Sequence, residues 1–142
     1  MTHQSICRCL IAGFLSVTAS AWGQSSASLG RLDYLAHCAS CHGQAGQGDG
    51  PVRSFLRQPP PDLTRIAQRH GGEFPQELVW ETVDGRRLTE RGVHGSRDMP
   101  VWGDTFKAQA MTMPGDSATT AEGAAQYRIL SLLQYLAAIQ RP

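Results

Sequence analysis

A chain of 142 residues, 41% of them hydrophobic, is long enough for one globular domain of ordinary size and gives no indication of two. The 13 Lys and Arg residues almost balance the 12 Asp and Glu residues, and no stretch of the sequence is strongly basic. The composition therefore argues against a nucleic-acid-binding protein.

Residues 1–23 are predicted to be a secretory signal peptide, which leaves 24–142 as the mature domain. Arg8 precedes a short apolar stretch over 10–17, and the small residues of 21–23 suit a cleavage site. The stretch is too short and too polar to be a transmembrane helix, which needs about 20 apolar residues. We expect an exported protein, located in the periplasm, with no stable membrane span in the mature chain.

Removal of the signal peptide changes the numbers of cysteines and charged residues in the mature protein. Cys7 and Cys9 lie within the signal peptide, so the mature chain keeps Cys38 and Cys41. These two are too close together in sequence for a disulfide between them to stabilise the fold. Removing Arg8 from the 13 cations leaves 12 against 12 anions, so the mature polypeptide is formally neutral.

The first half of the mature chain predicts two helices separated by a long loop. Apolar residues at helical spacing indicate a first helix over about 28–40. Four glycines in 43–50 and three prolines at 59–61 then exclude regular structure. Pro75 suits a helix start, and Asp84-Gly85 suits its end, so a second helix is predicted over about 75–84.

The second half predicts an irregular stretch followed by the longest helix. Residues 85–119 contain scattered Gly and Pro and are expected to be mostly irregular, with a polar exposed insertion over 107–119. Thr119 and Glu122 have the spacing of a capping box at the start of the last helix. Its apolar stripe consists of Ile129, Leu132, Leu133, Leu136 and Ile139.

These elements predict an all-α fold of three main helices joined by long Gly/Pro-rich loops. Such loops are uncommon in a compact domain, and three short helices bury little apolar surface by themselves. A large, rigid, apolar cofactor would resolve the conflict, because the loops could wrap around it.

Cys38-Ala39-Ser40-Cys41-His42 is the C-x-x-C-H arrangement of covalent haem attachment. Thiols at i and i+3 project from one side of a helical turn, so both can join one porphyrin edge. His42 then presents its imidazole to the iron, and a backbone carbonyl would fix its tautomer. Pro51 is the predicted source of that carbonyl. A thiol–disulfide pair would need a strand–helix context, and a zinc site would need a second ligand pair; the sequence offers neither.

The sequence around this motif resembles the class I c-type cytochromes. That family carries a glycine and an aromatic residue eight and four positions before the first haem cysteine, where Gly30 and Tyr34 stand here. Its last helix ends in an apolar-apolar-x-aromatic-apolar pattern, which resembles 132–136 with Tyr135 as the aromatic. The resemblance implies the cytochrome c fold around one covalent haem c. Gly30 would then let the first and last helices cross closely, with Tyr34 and Tyr135 at the flanks.

Two further stretches are similar to bacterial members of the family. They are Gly48-Asp49-Gly50-Pro51 and the run from Pro60 to Thr64. Such sequences occur in free electron carriers and in the haem domains of oxidases and dehydrogenases. Asp62 and Thr64 equally suit simple turn chemistry, in which side-chain oxygens bond to nearby amides.

Met99 is the predicted sixth ligand of the haem iron, opposite His42. Asp98-Met99-Pro100 resembles the distal loop of the family, and the proline favours extended backbone at Met99. A thioether is a soft ligand that favours reduced iron and raises the reduction potential. Val101 and Trp102 would pack against the haem.

Four other residues compete with Met99 for this position. Met111 and Met113 lie in the polar insertion, where ligation is less expected. His94 and His70 would give a bis-histidine haem of lower potential, although surface histidine is their default interpretation.

With both axial positions filled, the expected function is transfer of single electrons between redox proteins, without catalysis. A redox donor and acceptor are the expected partners, and a membrane-bound protein is one candidate. Two alternatives remain open at this level. The chain could be the dedicated electron-transfer subunit of an exported dehydrogenase or oxidase, docked through 107–119. It could also be a haem enzyme or gas sensor from which Met99 detaches.

Overall fold

The computed structural model describes residues 21–86, 99–112 and 117–142, with side chains from residue 26 onward. Throughout these ranges the regular structure is helical. Residues 1–20 of the predicted signal peptide (1–23), His94 and Met113 lie outside the described residues. The helices are α1 (Ala21–His37), α2 (Ala39–His42), α3 (Ile66–Arg69), α4 (Gln76–Asp84), α5 (Trp102–Ala110) and α6 (Ala118–Ala138), with 3-10 turns at Arg53–Phe55 and Leu63–Arg65.

The first and last helices pack across each other at Gly30. A Cβ atom built on Gly30 would collide with the backbone carbonyl of Ser131 and lie 2.9 Å from the amide nitrogen of Leu132. Only glycine allows this approach of two helix backbones without displacement. The close crossing that was predicted for Gly30 is confirmed.

Aromatic side chains pack beside this crossing. Tyr34 is fully buried, and its ring centroid lies 5.2 Å from that of the partly buried Tyr135. The Tyr34 hydroxyl donates a 2.6 Å hydrogen bond to the carbonyl of Gly43, just after α2. Tyr34 therefore links the helix crossing to the segment that contains Cys38 and Cys41. The same core contains the apolar stripe of α6, which includes Ile129, Leu132 and Leu136.

The prediction that residues 85–119 are mostly irregular is wrong for α5. This helix packs on α6, and its Phe106 is fully buried. Arg128 of α6 covers the Phe106 ring, with the guanidinium carbon 4.0 Å from the ring centroid. Residues 107–110 thus belong to a packed helix, so the prediction of an irregular insertion is wrong for this part of 107–119.

The start of α6 also differs from the predicted capping box of Thr119 and Glu122. Ser117 is the N-cap, and its hydroxyl accepts from the backbone N–H of Thr120, whose own hydroxyl accepts from the Ser117 N–H at 2.8 Å. Glu122 instead binds Arg86 through two hydrogen bonds of 2.8 Å and Lys107 at 3.1 Å. It therefore joins α6 to α5 and to the end of α4. No helix within the described ranges is both long and apolar enough to cross a membrane.

Candidate functional site

One cavity of about 390 Å³ lies between helices α1, α2, α3, α4 and α6, the segment over 56–63 and the segment over 99–102. Its wall is mainly apolar: Leu132 and Leu136 of α6 line it on one side, and Val79 and Val83 of α4 line another. The four residues singled out as haem ligands or attachment points, Cys38, Cys41, His42 and Met99, all line this cavity. The fold therefore brings the predicted site together.

The two thiols lie on a single helical turn. The backbone N–H of His42 donates to the carbonyl of Cys38 at 2.9 Å, which fixes the i, i+3 relation of the cysteines. Burial, followed by the nearby Asp33 carboxylate, raises the pKa of the Cys38 thiol to about 12. A thiol that stays protonated is a poor nucleophile, which disfavours a catalytic thiol–disulfide pair.

The carbonyl that faces His42 belongs to Pro61, so the prediction of Pro51 is wrong. His42 Nδ1 lies 3.4 Å from the Pro61 oxygen, and donation from this nitrogen leaves Nε2 as the free base. Burial lowers the pKa of His42, and the bond to Pro61 opposes that shift. The neutral imidazole, which is the form that binds a metal, is thereby favoured.

Backbone contacts explain why Pro51 cannot take this role. Residues 48–52 run beside the C-x-x-C-H turn. The N–H groups of Gly48, Gly50 and Val52 donate to the carbonyls of His42, Cys41 and Ser40, respectively. The chain contacts the His42 imidazole at Pro61. There the N–H of Leu63 donates to the Gly46 carbonyl at 2.7 Å.

The turn that follows Pro61 is fixed by the side chain of Asp62. Its carboxylate accepts from the backbone N–H of Thr64 at 2.9 Å and from the Thr64 hydroxyl at 2.6 Å. These bonds, led by the one from the hydroxyl, lower the pKa of Asp62. The turn chemistry that was considered for Asp62 and Thr64 is therefore present, and it positions the carbonyl that orients His42.

The competing ligands are placed differently from Met99. Met99 packs against the hydrophobic core and lines the cavity, together with Pro100 and Trp102. Met111 is 54% exposed at the end of α5 and does not line the cavity. His70 lies at the cavity wall as an exposed residue, with its Nδ1 2.9 Å from the Ile66 carbonyl.

Sequence reasoning missed a polar and aromatic cluster beside the cavity. His37 lines the cavity, and its ring lies edge-on to Trp102 and Phe106, with centroids 5.4 and 5.5 Å away. Asp33, one turn before His37, is bound by Arg128 through two hydrogen bonds. The four-residue spacing of Trp102 and Phe106 was the available signal, since it places both on one helix face.

Comparison with known proteins identifies the class. The family model described as cytochrome c matches residues 27–125, which is more than half of the chain. The chain belongs to the cytochrome c family. No curated protein and no solved structure matches it significantly.

The cavity suits the cofactor of this family, covalently attached haem c with its iron. It combines apolar walls with two thiols on one helical turn, an imidazole whose Nδ1 is engaged by a carbonyl, and a thioether. Thiols of this kind could attach a haem, and imidazole and thioether are donor types that bind haem iron. The all-α architecture is accordingly a cytochrome c fold, and membership of this family indicates haem-based electron transfer.

Proposed function

We propose that this protein is an exported monohaem c-type cytochrome that carries single electrons between redox proteins. Cys38 and Cys41 form the thioether bonds to the haem, and His42 and Met99 are the axial ligands of its iron. The placement of all four residues on one cavity carries the proposal.

The chain's own residues hold the site in the state that electron transfer requires. The Pro61 carbonyl keeps the proton of His42 on Nδ1, so that Nε2 is available as a ligand. Apolar residues of α4 and α6 exclude water from the cavity. The bound haem supplies a one-electron couple at its iron.

The position of Met99 favours a carrier over an enzyme or gas sensor. With His42 and Met99 as axial ligands, no coordination site remains for peroxide or a diatomic gas. Met99 packs against the core instead of lying on a free loop, which opposes its easy detachment. The packing of 107–110 in α5 likewise removes part of the segment that suggested a dedicated subunit, so a freely diffusing carrier is preferred.

Binding of carbon monoxide to the reduced protein tests this function. We expect the wild type to bind the gas poorly, because Met99 occupies the sixth position. Met99→Ala should bind it readily. Met111→Ala is the matched control, since Met111 is exposed away from the cavity, and it should behave as the wild type. Rapid binding by the wild type would contradict the proposal and favour the sensor or enzyme.

A further inference from the structure

Phe55 is an unusually exposed aromatic residue beside the haem cavity. Its side chain is 84% exposed at the end of the 3-10 turn Arg53–Phe55. Arg57 follows two residues later, and it is exposed, as is Arg53. We call Arg53, Phe55 and Arg57 the Phe55 surface. Aromatic residues and arginine are enriched where proteins bind each other, whereas a lone phenylalanine in water gains nothing for the fold.

The Phe55 surface borders the edge of the cavity at which Cys41 lies. The N–H of Val52 donates to the carbonyl of Ser40 at 3.0 Å, so the turn begins next to the C-x-x-C-H motif. Phe55 lies three residues farther on, which places its Cα within about 11 Å of that of Val52. Leu56 and Pro59 line both the haem cavity and a shallow cleft that also includes Arg53.

The Phe55 surface is positively charged, although the chain as a whole is nearly neutral and Asp49 and Asp62 flank the segment that contains this surface. Residues 50–61 contain two arginines and no acidic residue. Arg69 adds a third cation at the cavity wall. None of the three arginines forms an ion pair with another described residue. Glu73, Glu77 and Glu81 belong to α4 and the loop before it, outside the segment that contains Arg53 and Arg57.

The turn holds its shape without a partner, so little flexibility is lost on binding. The N–H of Phe55 donates to the Val52 carbonyl at 3.0 Å, and that of Leu56 donates to the Arg53 carbonyl at 3.2 Å. Pro51 and Pro59 restrict the backbone on either side. A preformed apolar tip flanked by cations therefore meets a partner at low entropic cost.

We infer that the Phe55 surface is the docking element for a redox partner protein that presents acidic side chains around an apolar depression. The inference rests on the proposed electron-carrier function and adds the side of approach and the chemistry of the partner. The partner's carboxylates meet Arg53 and Arg57, and Phe55 enters the depression. This contact brings the partner to the edge of the cavity near Cys41, one of the two proposed attachment points of the haem.

A protein partner fits this surface better than a lipid headgroup layer. Lipid-binding clusters have about four to eight adjacent Lys or Arg residues, and this surface has two with a third at the cavity wall. The local charge nevertheless suffices to steer association with an acidic protein. Such steering depends on the local field, so it can operate although the net charge is small.

Voltammetry on coated gold electrodes tests the inference with a defined probe. The holoprotein is compared on a carboxylate-terminated and on a hydroxyl-terminated monolayer at low ionic strength. We expect wild-type electron transfer to be about tenfold faster on the carboxylate layer. The Arg53→Glu/Arg57→Glu variant should lose this advantage. The single variants Arg53→Glu and Arg57→Glu are compared with Arg31→Glu, which makes the same change of charge on the exposed side of α1. Arg31→Glu should retain the rate advantage on the carboxylate layer within about twofold.

The aromatic tip is tested on a mixed carboxylate and methyl layer. Phe55→Ser should lower adsorption about tenfold, which corresponds to the loss of one interface anchor. Leu32→Ser, at a residue that is 61% exposed on α1, should leave adsorption unchanged. Equal loss in both variants would overturn the role of Phe55.

The outcomes separate this inference from the proposed function. Absence of a reversible one-electron couple in the wild type would refute the carrier itself. A normal couple with equal rates on both layers, or with rates unaffected by the double charge reversal, would overturn only the docking surface. Sedimentation with anionic phospholipid vesicles that the double variant abolishes would also overturn it, because it would assign the surface to a membrane.

Discussion

Replacing Gly30 by alanine should destabilise the holoprotein by about 2 kcal/mol. The new Cβ would meet the backbone of Ser131 and Leu132, and backbone atoms cannot yield as a flexible side chain can. Overpacking of this kind costs about 1 to 3 kcal/mol, and contact with backbone places it near the upper end. The higher helix propensity of alanine offsets about 1 kcal/mol of this destabilisation.

Gly123 provides a control of opposite sign within α6. A Cβ atom there would have no neighbour within 4 Å, so Gly123→Ala should gain about 1 kcal/mol from helix propensity alone. The two variants should then differ by about 3 kcal/mol, or roughly 10 °C in Tm for a domain of this size. Guanidinium unfolding of the oxidised holoprotein, followed by circular dichroism, gives both values. Stabilisation by both substitutions would refute the proposed backbone contact between α1 and α6.

Four further changes have expected outcomes. Cys38→Ala/Cys41→Ala should yield no protein with covalent haem, checked by mass after acid–acetone extraction; full retention of haem would contradict the assigned attachment. Tyr135→Ala should cost about 3 kcal/mol in chemical unfolding, because it leaves a cavity beside Tyr34, and a wild-type curve would contradict the packing. Arg86 and Lys107 lower the pKa of Glu122 to about 2, so its stabilising contribution is present above an ordinary pKa of 4.5 and is lost as the pH falls toward 2. Unfolding of wild type and Glu122→Gln should therefore differ at about pH 6 and become alike only as the pH falls through about 2, whereas a constant difference would contradict this ion pair.

Short-range sequence patterns predicted much of the site. The i, i+3 spacing of the cysteines and the adjacent histidine are local features, and one helical turn brings them together. The roles of Gly30 and Tyr34 were inferred from the resemblance to a known family, which carries a glycine and an aromatic residue eight and four positions before its first haem cysteine. The pairing of α1 with α6 came from the resemblance of both helices to that family.

Features that depend on distant parts of the chain were not predicted. The choice between Pro51 and Pro61 depends on where a long loop returns, which sequence spacing does not encode. The α5 helix was missed because the scattered Gly and Pro of 85–119, Gly103 among them, were interpreted as loop residues. In the structure, Gly103 lies against Asp84 and Arg86, where a Cβ atom would collide with their side chains. Glu122 was misassigned to a cap because its partners Arg86 and Lys107 are remote in sequence.

The optical spectrum of the oxidised protein tests the central claim most directly. If Met99 is the axial ligand opposite His42, the red region contains a methionine-to-iron charge-transfer band. Met99→Ala should abolish this band, while Met111→Ala and Met113→Ala leave it unchanged. A wild type without the band, or a band that survives Met99→Ala, would contradict the proposed ligation and the carrier function that depends on it.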